Sequence, residues 1–143
     1  MSTHAERYEQ LAALFQQAQA PEQTAALYLL SADEELCCYA AQFIGPEKGL
    51  DYEAIYNHKT IRGPEKNALA WTAINLYTHD RFPGPSPYDL SQLPAPVSEL
   101  CGTAIQIARG DYCVQLQNLD VGKEFLIYPS SWGQEQPDEG MDR

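Results

Sequence analysis

Segment 68–77 reads ALAWTAINLY, carries no charge and places apolar side chains all round a helical wheel. A helix with this pattern is buried, because none of its faces favours water. Gly63 and Pro64 predict its start, since glycine can occupy the N-cap and proline lacks only an N–H that has no partner in the first turn. A proline-rich break at 83–85 predicts its end. We therefore predict that the chain packs around this central helix, with Trp71 in the core.

Length and composition indicate one globular domain. The chain has 143 residues, and 44% of them are apolar, a size and content at which a core is buried without disulfides or metals. We predict a mainly α fold, with a single compact helical domain over residues 1–129. Residues 111–129 are expected to extend this domain as a small C-terminal β-hairpin. Residues 130–143, rich in acidic residues, Gly, Pro and Gln, are expected to form a flexible acidic tail.

Three helices are predicted before the central one. Thr3 and Glu6 have capping-box spacing, so the first helix should start there and continue to just before Pro21. Pro21 opens a second helix that is apolar nearly all round and should pack against the central helix. Ser31 and Glu34 repeat the capping-box spacing, which predicts Ser31 as the N-cap of a third helix that runs to Phe43 and stops at 45–46.

Segment 48–62 is open to two interpretations. Asp51 can cap a short helix that runs through Ala54 and Ile55, or Tyr52, Ile55 and Tyr56 can anchor an irregular loop over the core. We favour the short helix.

After the central helix, the sequence predicts a stiff loop, a further helix and a β-hairpin. Ser86 precedes a proline and a carboxylate, which predicts a single helical turn inside the stiff loop 81–96. Apolar residues at helical spacing over 97–108 predict another helix, which ends at Arg109 and Gly110. Alternating residues over 112–117, turn residues over 118–123 and an apolar run over 124–128 predict the β-hairpin.

The net charge of −11 comes from 20 acidic and 9 basic residues. It disfavours direct binding to nucleic acid or to an anionic membrane. The densest acidic run, Asp33, Glu34 and Glu35, falls in a first helical turn, where the helix dipole stabilises negative charge. The alternative is that these carboxylates form an acidic knob for a basic partner. The small basic patch at 58–66 is expected to pair with acidic neighbours in the fold.

Location and redox state follow from two further patterns. No apolar run approaches the roughly 18 residues of a membrane span, and the polar N-terminus does not resemble a signal peptide. We therefore predict a cytoplasmic protein with no membrane partner. The four cysteines have neither the density of a secreted scaffold nor Cys-x-x-Cys spacing, so we interpret them as free thiols rather than metal or redox ligands. They are Cys37, Cys38, Cys101 and Cys113.

Recognised catalytic patterns are absent from the sequence. It has no Gly-x-Ser-x-Gly elbow, no glycine-rich phosphate loop and no His-Glu-x-x-His motif. His79, Asp80 and Arg81 form a local acid-base cluster, which the isolated His58 can join, but a histidine at a helix C-terminus is more often structural. We predict no cofactor, metal or catalytic residue. Enzymatic activity stays open, and the sequence favours a protein without one.

The stiff loop after the central helix is the better candidate for recognition. Phe82 and Tyr88 lie among prolines, and a rigid segment loses little conformational entropy when it binds. These two aromatic residues and the acidic run Asp33, Glu34 and Glu35 are our predicted partner-binding residues.

Several short motifs follow one another along residues 4–109: YLLS from Tyr28, EEL from Glu34, a segment containing Ile55 and Ile61, AINLY from Ala73 and SPYDL from Ser86. This order resembles an uncharacterised family of small, mainly helical proteins of Firmicutes and of their phages or integrated elements. Residues 111–143 look like an addition to the family pattern. The resemblance implies a phage or mobile-element setting, and it assigns no established activity to any residue.

Three hypotheses for function remain. We favour a non-catalytic, acidic protein-binding module, whose most concrete form is an inhibitor of a host defence protein, such as an anti-CRISPR. Its expected partner is a basic, nucleic-acid-binding host protein, because opposite charge speeds encounter and fixes orientation. The alternatives are a structural or assembly component of a phage or mobile element, and an enzyme or small-ligand domain without a recognised motif.

Overall fold

Seven helices and two small antiparallel sheets form the part of the chain that the structure, a computed structural model, describes: residues 3–15, 20–45, 49–57, 63–79, 81–120 and 122–131. The mainly α fold with a C-terminal hairpin is thereby confirmed. The elements in chain order are α1 His4–Ala13, α2 Pro21–Leu30, α3 Glu34–Ala41, β1 Ile44–Gly45, β2 Gly49–Leu50, α4 Tyr52–Tyr56, α5 Pro64–Tyr77, α6 Pro87–Ser91, α7 Ala95–Ala108, β3 Tyr112–Leu119 and β4 Gly122–Pro129.

Helix α2 is the most deeply buried helix of the fold. Every residue from 25 to 30 is at most 7% exposed, because this half of the helix is apolar on all sides. α2 packs against α5 and α7, and these two helices also contact each other. The three helices thus form the core, and α1, α3 and the hairpin of β3 and β4 close around it.

The prediction that α5 is buried all round was wrong. Its inner side, which includes Leu69, Ala73 and Ile74, is buried, but Trp71 on the other side is 37% exposed. Asn67 and Asn75 lie one turn before and one turn after Trp71, so all three share one face of the helix. The loop after α5 covers the Asn75 end of this face, whereas Trp71 stays partly open to solvent.

The connection between α2 and α3 also differs from the prediction. Asp33, not Ser31, is the N-cap of α3, and its carboxylate accepts a hydrogen bond from the Leu36 N–H at 2.9 Å. Ser31 is buried instead and donates its hydroxyl to the Leu27 carbonyl at 2.7 Å. From α1, Arg7 Nε donates to the Ser31 carbonyl at 2.8 Å. A cation from another helix therefore stabilises the negative end of α2, which carries no basic residue in its own last turn.

The predicted capping signals were otherwise confirmed. The capping box of Thr3 and Glu6 starts α1, Asp51 caps α4, and Ser86 caps α6. Gly63 precedes α5 with φ 104°, a conformation that glycine adopts without strain. The α7 helix ends at Ala108 with Arg109 as its C-cap, which confirms the predicted end.

Two predicted helix ends lay too far along the chain. α1 ends at Ala13 rather than just before Pro21, although 16–19 lie outside the described residues. α3 ends at Ala41, and Phe43 already lies outside it, because Ile44 and Gly45 pair with residues 49–50 in a short antiparallel ladder.

The hairpin is longer than predicted and is packed on the core. Its ladder continues to Leu119 and Gly122, so 118–119 and 122–123 are paired instead of belonging to the turn. The ring of Phe125 packs against three aromatic rings of α1 and α2 at centroid distances of 4.6, 5.4 and 5.2 Å, those of His4, Tyr8 and Tyr28.

Two remaining predictions concern the chain end and the membrane. Ser130, the first residue of the predicted tail, donates its N–H to the Asp111 carbonyl at 2.8 Å and continues the ladder. Residues 132–143 of that tail lie outside the described residues. Among the described helices, none has the length and apolar content needed to cross a bilayer.

Core substitutions should distinguish the two sides of α5. We expect Ile74→Ala to lower the free energy of unfolding by about 2–5 kcal/mol, because it leaves a cavity at a fully buried position. Trp71→Ala should cost less than Ile74→Ala despite the larger deletion, since its side chain borders solvent. Urea unfolding monitored by circular dichroism measures both values. An equal or larger loss for Trp71→Ala would place α5 at the centre of the core after all.

His4 should make stability dependent on pH. Its Nε2 lies 2.8 Å from the Tyr28 carbonyl, and burial lowers the pKa of its imidazole below the usual range. The folded protein therefore resists protonation, so stability is full above the ordinary histidine pKa of about 6.5 and falls at lower pH as the unfolded chain takes up the proton. We expect the stability difference between wild type and His4→Gln to shrink between pH 7.5 and pH 5, as measured by urea unfolding. A difference that does not change with pH would contradict a buried neutral His4.

Candidate protein-binding site

An open cavity of about 440 Å³ lies between α5 and the proline-rich loop that leads into α6. Trp71 and Ala68 form its α5 side, and Pro85 and Leu93 add apolar surface from the opposite side. The lining residues are Pro64, Asn67, Ala68, Trp71, Gly84, Pro85, Asp89, Gln92 and Leu93. We call this cavity the Trp71 groove.

The side of the Trp71 groove opposite α5, formed by the proline-rich loop and α6, is held in place by hydrogen bonds to backbone groups. Asn75 of α5 donates its side-chain N–H to the Phe82 carbonyl at 2.7 Å and so ties the loop to the helix. A Cβ at Gly84 would lie 3.3 Å from the Asn75 Cβ, so this close approach favours glycine. Ser86 and Asp89 form a reciprocal capping box with both hydrogen bonds at 3.1 Å. The groove is therefore built before any ligand arrives.

A cluster of aromatic rings supports the groove from behind. The Trp71 ring lies 5.9 Å from that of Tyr56, whose ring lies 4.9 Å from Phe82. The Tyr52 ring contacts Phe82 at 5.3 Å, and Arg81 donates to the Tyr52 hydroxyl at 3.2 Å. Phe82 is therefore half-buried between α4 and α5, where it supports the loop.

The two predicted aromatic residues thus differ in position. Tyr88 lies on α6 and is 70% exposed, so its ring is free to contact a partner. Phe82 has its ring in the aromatic cluster and contributes its carbonyl to the tie with Asn75. Trp71, which the sequence placed in the core, is the exposed aromatic residue of the groove.

The acidic run lies beside the N-terminal half of α5. Lys66 of α5 approaches the carboxylates of Asp33 and Glu35, at 3.7 and 3.4 Å. These two carboxylates raise the pKa of the partly exposed Lys66 ammonium, with Asp33 the larger cause. Glu34 is exposed and has no ion pair within the described ranges. Lys66 therefore neutralises part of the predicted acidic knob, as the sequence anticipated for the basic patch; Lys59 and Arg62 lie outside those ranges.

The five predicted binding residues do not form one continuous cluster. Asp33 and Glu35 meet at Lys66, whereas Phe82 belongs to the aromatic cluster and Tyr88 to the surface of α6. Helix α5 connects the acidic run to the groove. Lys66, which contacts the acidic run, is followed directly by Asn67, which lines the groove.

The predicted acid-base cluster at the end of α5 is not a single site among the residues described. His79 has φ 55° and lies 3.4 Å from Glu22 of α2, whereas Arg81 turns to the Tyr52 hydroxyl. Asp80 lies outside the described residues. No group of three metal-ligating side chains occurs in the part of the chain that is described.

The groove can chemically hold an apolar or cationic side chain. Its indole face and prolines offer dispersion contact, and an indole attracts a cation placed over it. Asp89 is the one ionisable side chain among its described lining residues, and it supplies a carboxylate at the rim. Sequence reasoning missed Trp71, although two polar residues on the same helix face, Asn67 and Asn75, were the signal that this face lies outside the apolar core.

Thiol reactivity should follow burial in the structure. The thiols of Cys37 and Cys101 are buried, Cys38 is exposed and Cys113 is partly buried. Burial raises the pKa of the Cys37 thiol to about 11, which leaves little of the reactive thiolate at neutral pH. We expect an alkylating reagent to modify Cys38 first and to reach Cys37 and Cys101 only on unfolding, as peptide mass spectrometry measures. Equal rates at Cys37 and Cys38 would contradict this packing of α3.

Comparisons with protein-family models, curated proteins and solved structures found no match to this chain. The resemblance to the helical family of Firmicutes therefore stays a prediction.

Proposed function

We propose that this protein is a non-catalytic protein-binding module that uses the Trp71 groove as its main contact surface. The observation that carries the proposal is the exposed Trp71 ring in a preformed groove, with a second exposed ring, that of Tyr88, on α6, the helix that contributes Asp89 to the groove. Large aromatic side chains that are held rigidly at the surface supply much of the binding energy in protein interfaces. The capping box of α6 and the Asn75 tie keep the ordering cost of binding small.

The groove favours a basic anchor from the partner. A lysine or arginine can lay its aliphatic stem on Trp71 and Pro85 and place its charge near Asp89. One Asp89 oxygen already accepts the Ser86 N–H at 3.1 Å, which fixes the carboxylate at the rim. A cation over an indole contributes about 0.5–2 kcal/mol, depending on how far it is desolvated.

The charge of the chain supports the same choice of partner. A net charge of −11 attracts a basic surface and raises its encounter rate at low salt. Glu34 is the member of the acidic run that is exposed and unpaired in the described chain, so it is the best placed of the three to meet such a surface. Asp33 mainly caps α3, and Glu35 shares Lys66 with it.

The most concrete form of the proposal is an inhibitor of a basic, nucleic-acid-binding host protein, such as an anti-CRISPR. The resemblance implies the phage or mobile-element setting, and the acidic surface is suited to a channel that normally holds nucleic acid.

A quantitative pull-down from a Firmicutes cell extract tests the proposal. We expect wild type to retain a partner that Trp71→Ala and Tyr88→Ala lose. Ile105→Ala should retain it, because Ile105 is similarly exposed, at 42%, but lies on α7 outside the groove. Circular dichroism should show all variants folded. Retention of no protein, or equal retention by all variants, would overturn the proposal.

Two charge variants then separate recognition from stability. Glu34→Lys should slow association with the retained partner at low salt, with little change in the free energy of unfolding. Asp33→Ala should instead lower that free energy by about 0.5–2 kcal/mol, because it removes the cap of α3. Stopped-flow association and urea unfolding measure the two effects. An unchanged rate for Glu34→Lys would remove the acidic run from the contact surface.

A further inference from the structure

Among the described residues, β3 pairs with β4 alone, so its other side is an edge of the sheet. In an antiparallel ladder, residues that exchange hydrogen bonds alternate with residues whose N–H and C=O groups point away from the partner strand. The Ser130 N–H donates to the Asp111 carbonyl at 2.8 Å, so Asp111, just before β3, is the first of the residues whose backbone groups face β4. The intervening residues therefore direct their backbone groups outward. They are Tyr112, Val114, Leu116 and Asn118, and within the described chain no other segment pairs with these groups.

This edge lacks the features that normally prevent strand pairing. Natural edge strands carry charged residues, prolines or bulges, or are covered by another element. β3 reads YCVQLQNL, with no charge and no proline, and its register with β4 is unbroken over eight residues. An open cavity of about 340 Å³ separates the start of β3, at Tyr112, Val114 and Gln115, from the helices α2 and α7, which line its other side with Pro21, Thr24 and Ile107. An added strand can therefore approach the edge from solvent.

The opposite edge of the hairpin is protected. Helix α1 packs against β4, where Glu9 lies 3.3 Å from the Lys123 ammonium, which also donates to Asn118 of β3 at 2.7 Å. At the other end of β4, Pro129 has no N–H to offer. Between them, Phe125 packs into the rings of α1 and α2. Pairing is therefore open on the β3 side and closed on the β4 side.

We propose that two copies of this chain associate through antiparallel pairing of β3 with β3 of the second copy, which gives a four-stranded sheet in the order β4–β3–β3–β4. The pairing is isologous and stops at a dimer, because only the protected β4 edges remain outside. The four outward residues of each copy can exchange up to about eight backbone hydrogen bonds.

In one register, all four outward residues of each copy lie opposite outward residues of the other copy. With Gln115 opposite Gln115 of the second copy, Val114 faces Leu116 on the core side, and Cys113 faces Gln117 on the solvent side. Tyr112 then faces Asn118. A shift that brings Tyr112 opposite Asp120 leaves only three such pairs within β3, so the register centred on Gln115 gives the longest ladder.

Charge favours a second copy over a foreign basic strand. β3 offers no carboxylate to a lysine or arginine directly opposite it, and its uncharged side chains suit an equally uncharged partner. The net charge of −11 on each copy opposes dimerisation over a longer range, so added salt should strengthen it. Binding of a basic partner at the Trp71 groove should respond to salt in the opposite direction.

Sedimentation velocity tests the dimer over protein concentrations from about 1 µM to about 1 mM, at low and high salt. We expect a monomer–dimer equilibrium that moves toward the dimer at high salt. Gln115→Lys should weaken association about fivefold, because it places two ammonium groups opposite each other at the two-fold axis. Leu126→Lys is the matched control, since Leu126 pairs with Gln115, faces the same side and is 43% exposed, but lies one strand further from the axis.

A mixing experiment tests the register. Gln115→Glu alone should also associate weakly, and an equimolar mixture of the lysine and glutamate variants should recover wild-type association as a heterodimer. Recovery would be specific to position 115. A monomer at every concentration and salt, equal weakening by Leu126→Lys, or no recovery in the mixture would each overturn the proposal. None of these results depends on a partner at the Trp71 groove.

Discussion

The burial of α2 is the constraint on which the rest of the structure depends. Its apolar residues 25–30 leave no face for solvent, so α5 and α7 must cover it from two sides. The end of the helix still needs partners for its carbonyl groups, and Arg7 and Ser31 supply hydrogen bonds there. Because α5 buries one side against α2, its other side is directed to the surface. The Trp71 groove is a consequence of that arrangement.

Local signals in the sequence predicted most of the helices and strands but not how deeply each one is buried. Thr3, Asp51 and Ser86 act through neighbouring backbone groups, so their caps could be identified from a few residues. The position of Trp71 depends on which side of α5 faces α2, and this tertiary choice is marked in the sequence only by Asn67 and Asn75. Ser31 was misassigned because both it and Asp33 are good caps, and packing rather than propensity buried Ser31.

In the candidate site, too, some positions follow from neighbouring residues and others depend on tertiary packing. Tyr88 could be predicted as exposed because it follows a proline in a one-turn helix, whereas Phe82 in the same loop is held by Tyr52 and Tyr56 from a distant segment. The alternation of residues predicted the hairpin, but its docking through Phe125 depends on rings that α1 and α2 bring together. The two proposed surfaces, the groove and the β3 edge, differ in chemistry: the first is aromatic with a carboxylate rim, and the second is an uncharged backbone edge. A single molecule can use both, with opposite dependence on salt.

The central claim is that the groove face, and not the acidic surface in general, contacts the partner. Hydroxyl-radical footprinting measures side-chain oxidation residue by residue, and Trp71 and Tyr88 both react readily when exposed. It can be applied to the isolated protein and to the protein recovered in complex from a host extract. The account predicts that Trp71 and Tyr88 become protected together in the complex while Ile105, exposed on α7, keeps its rate of oxidation. Unchanged oxidation of Trp71 and Tyr88 in a complex that protects other residues would contradict it.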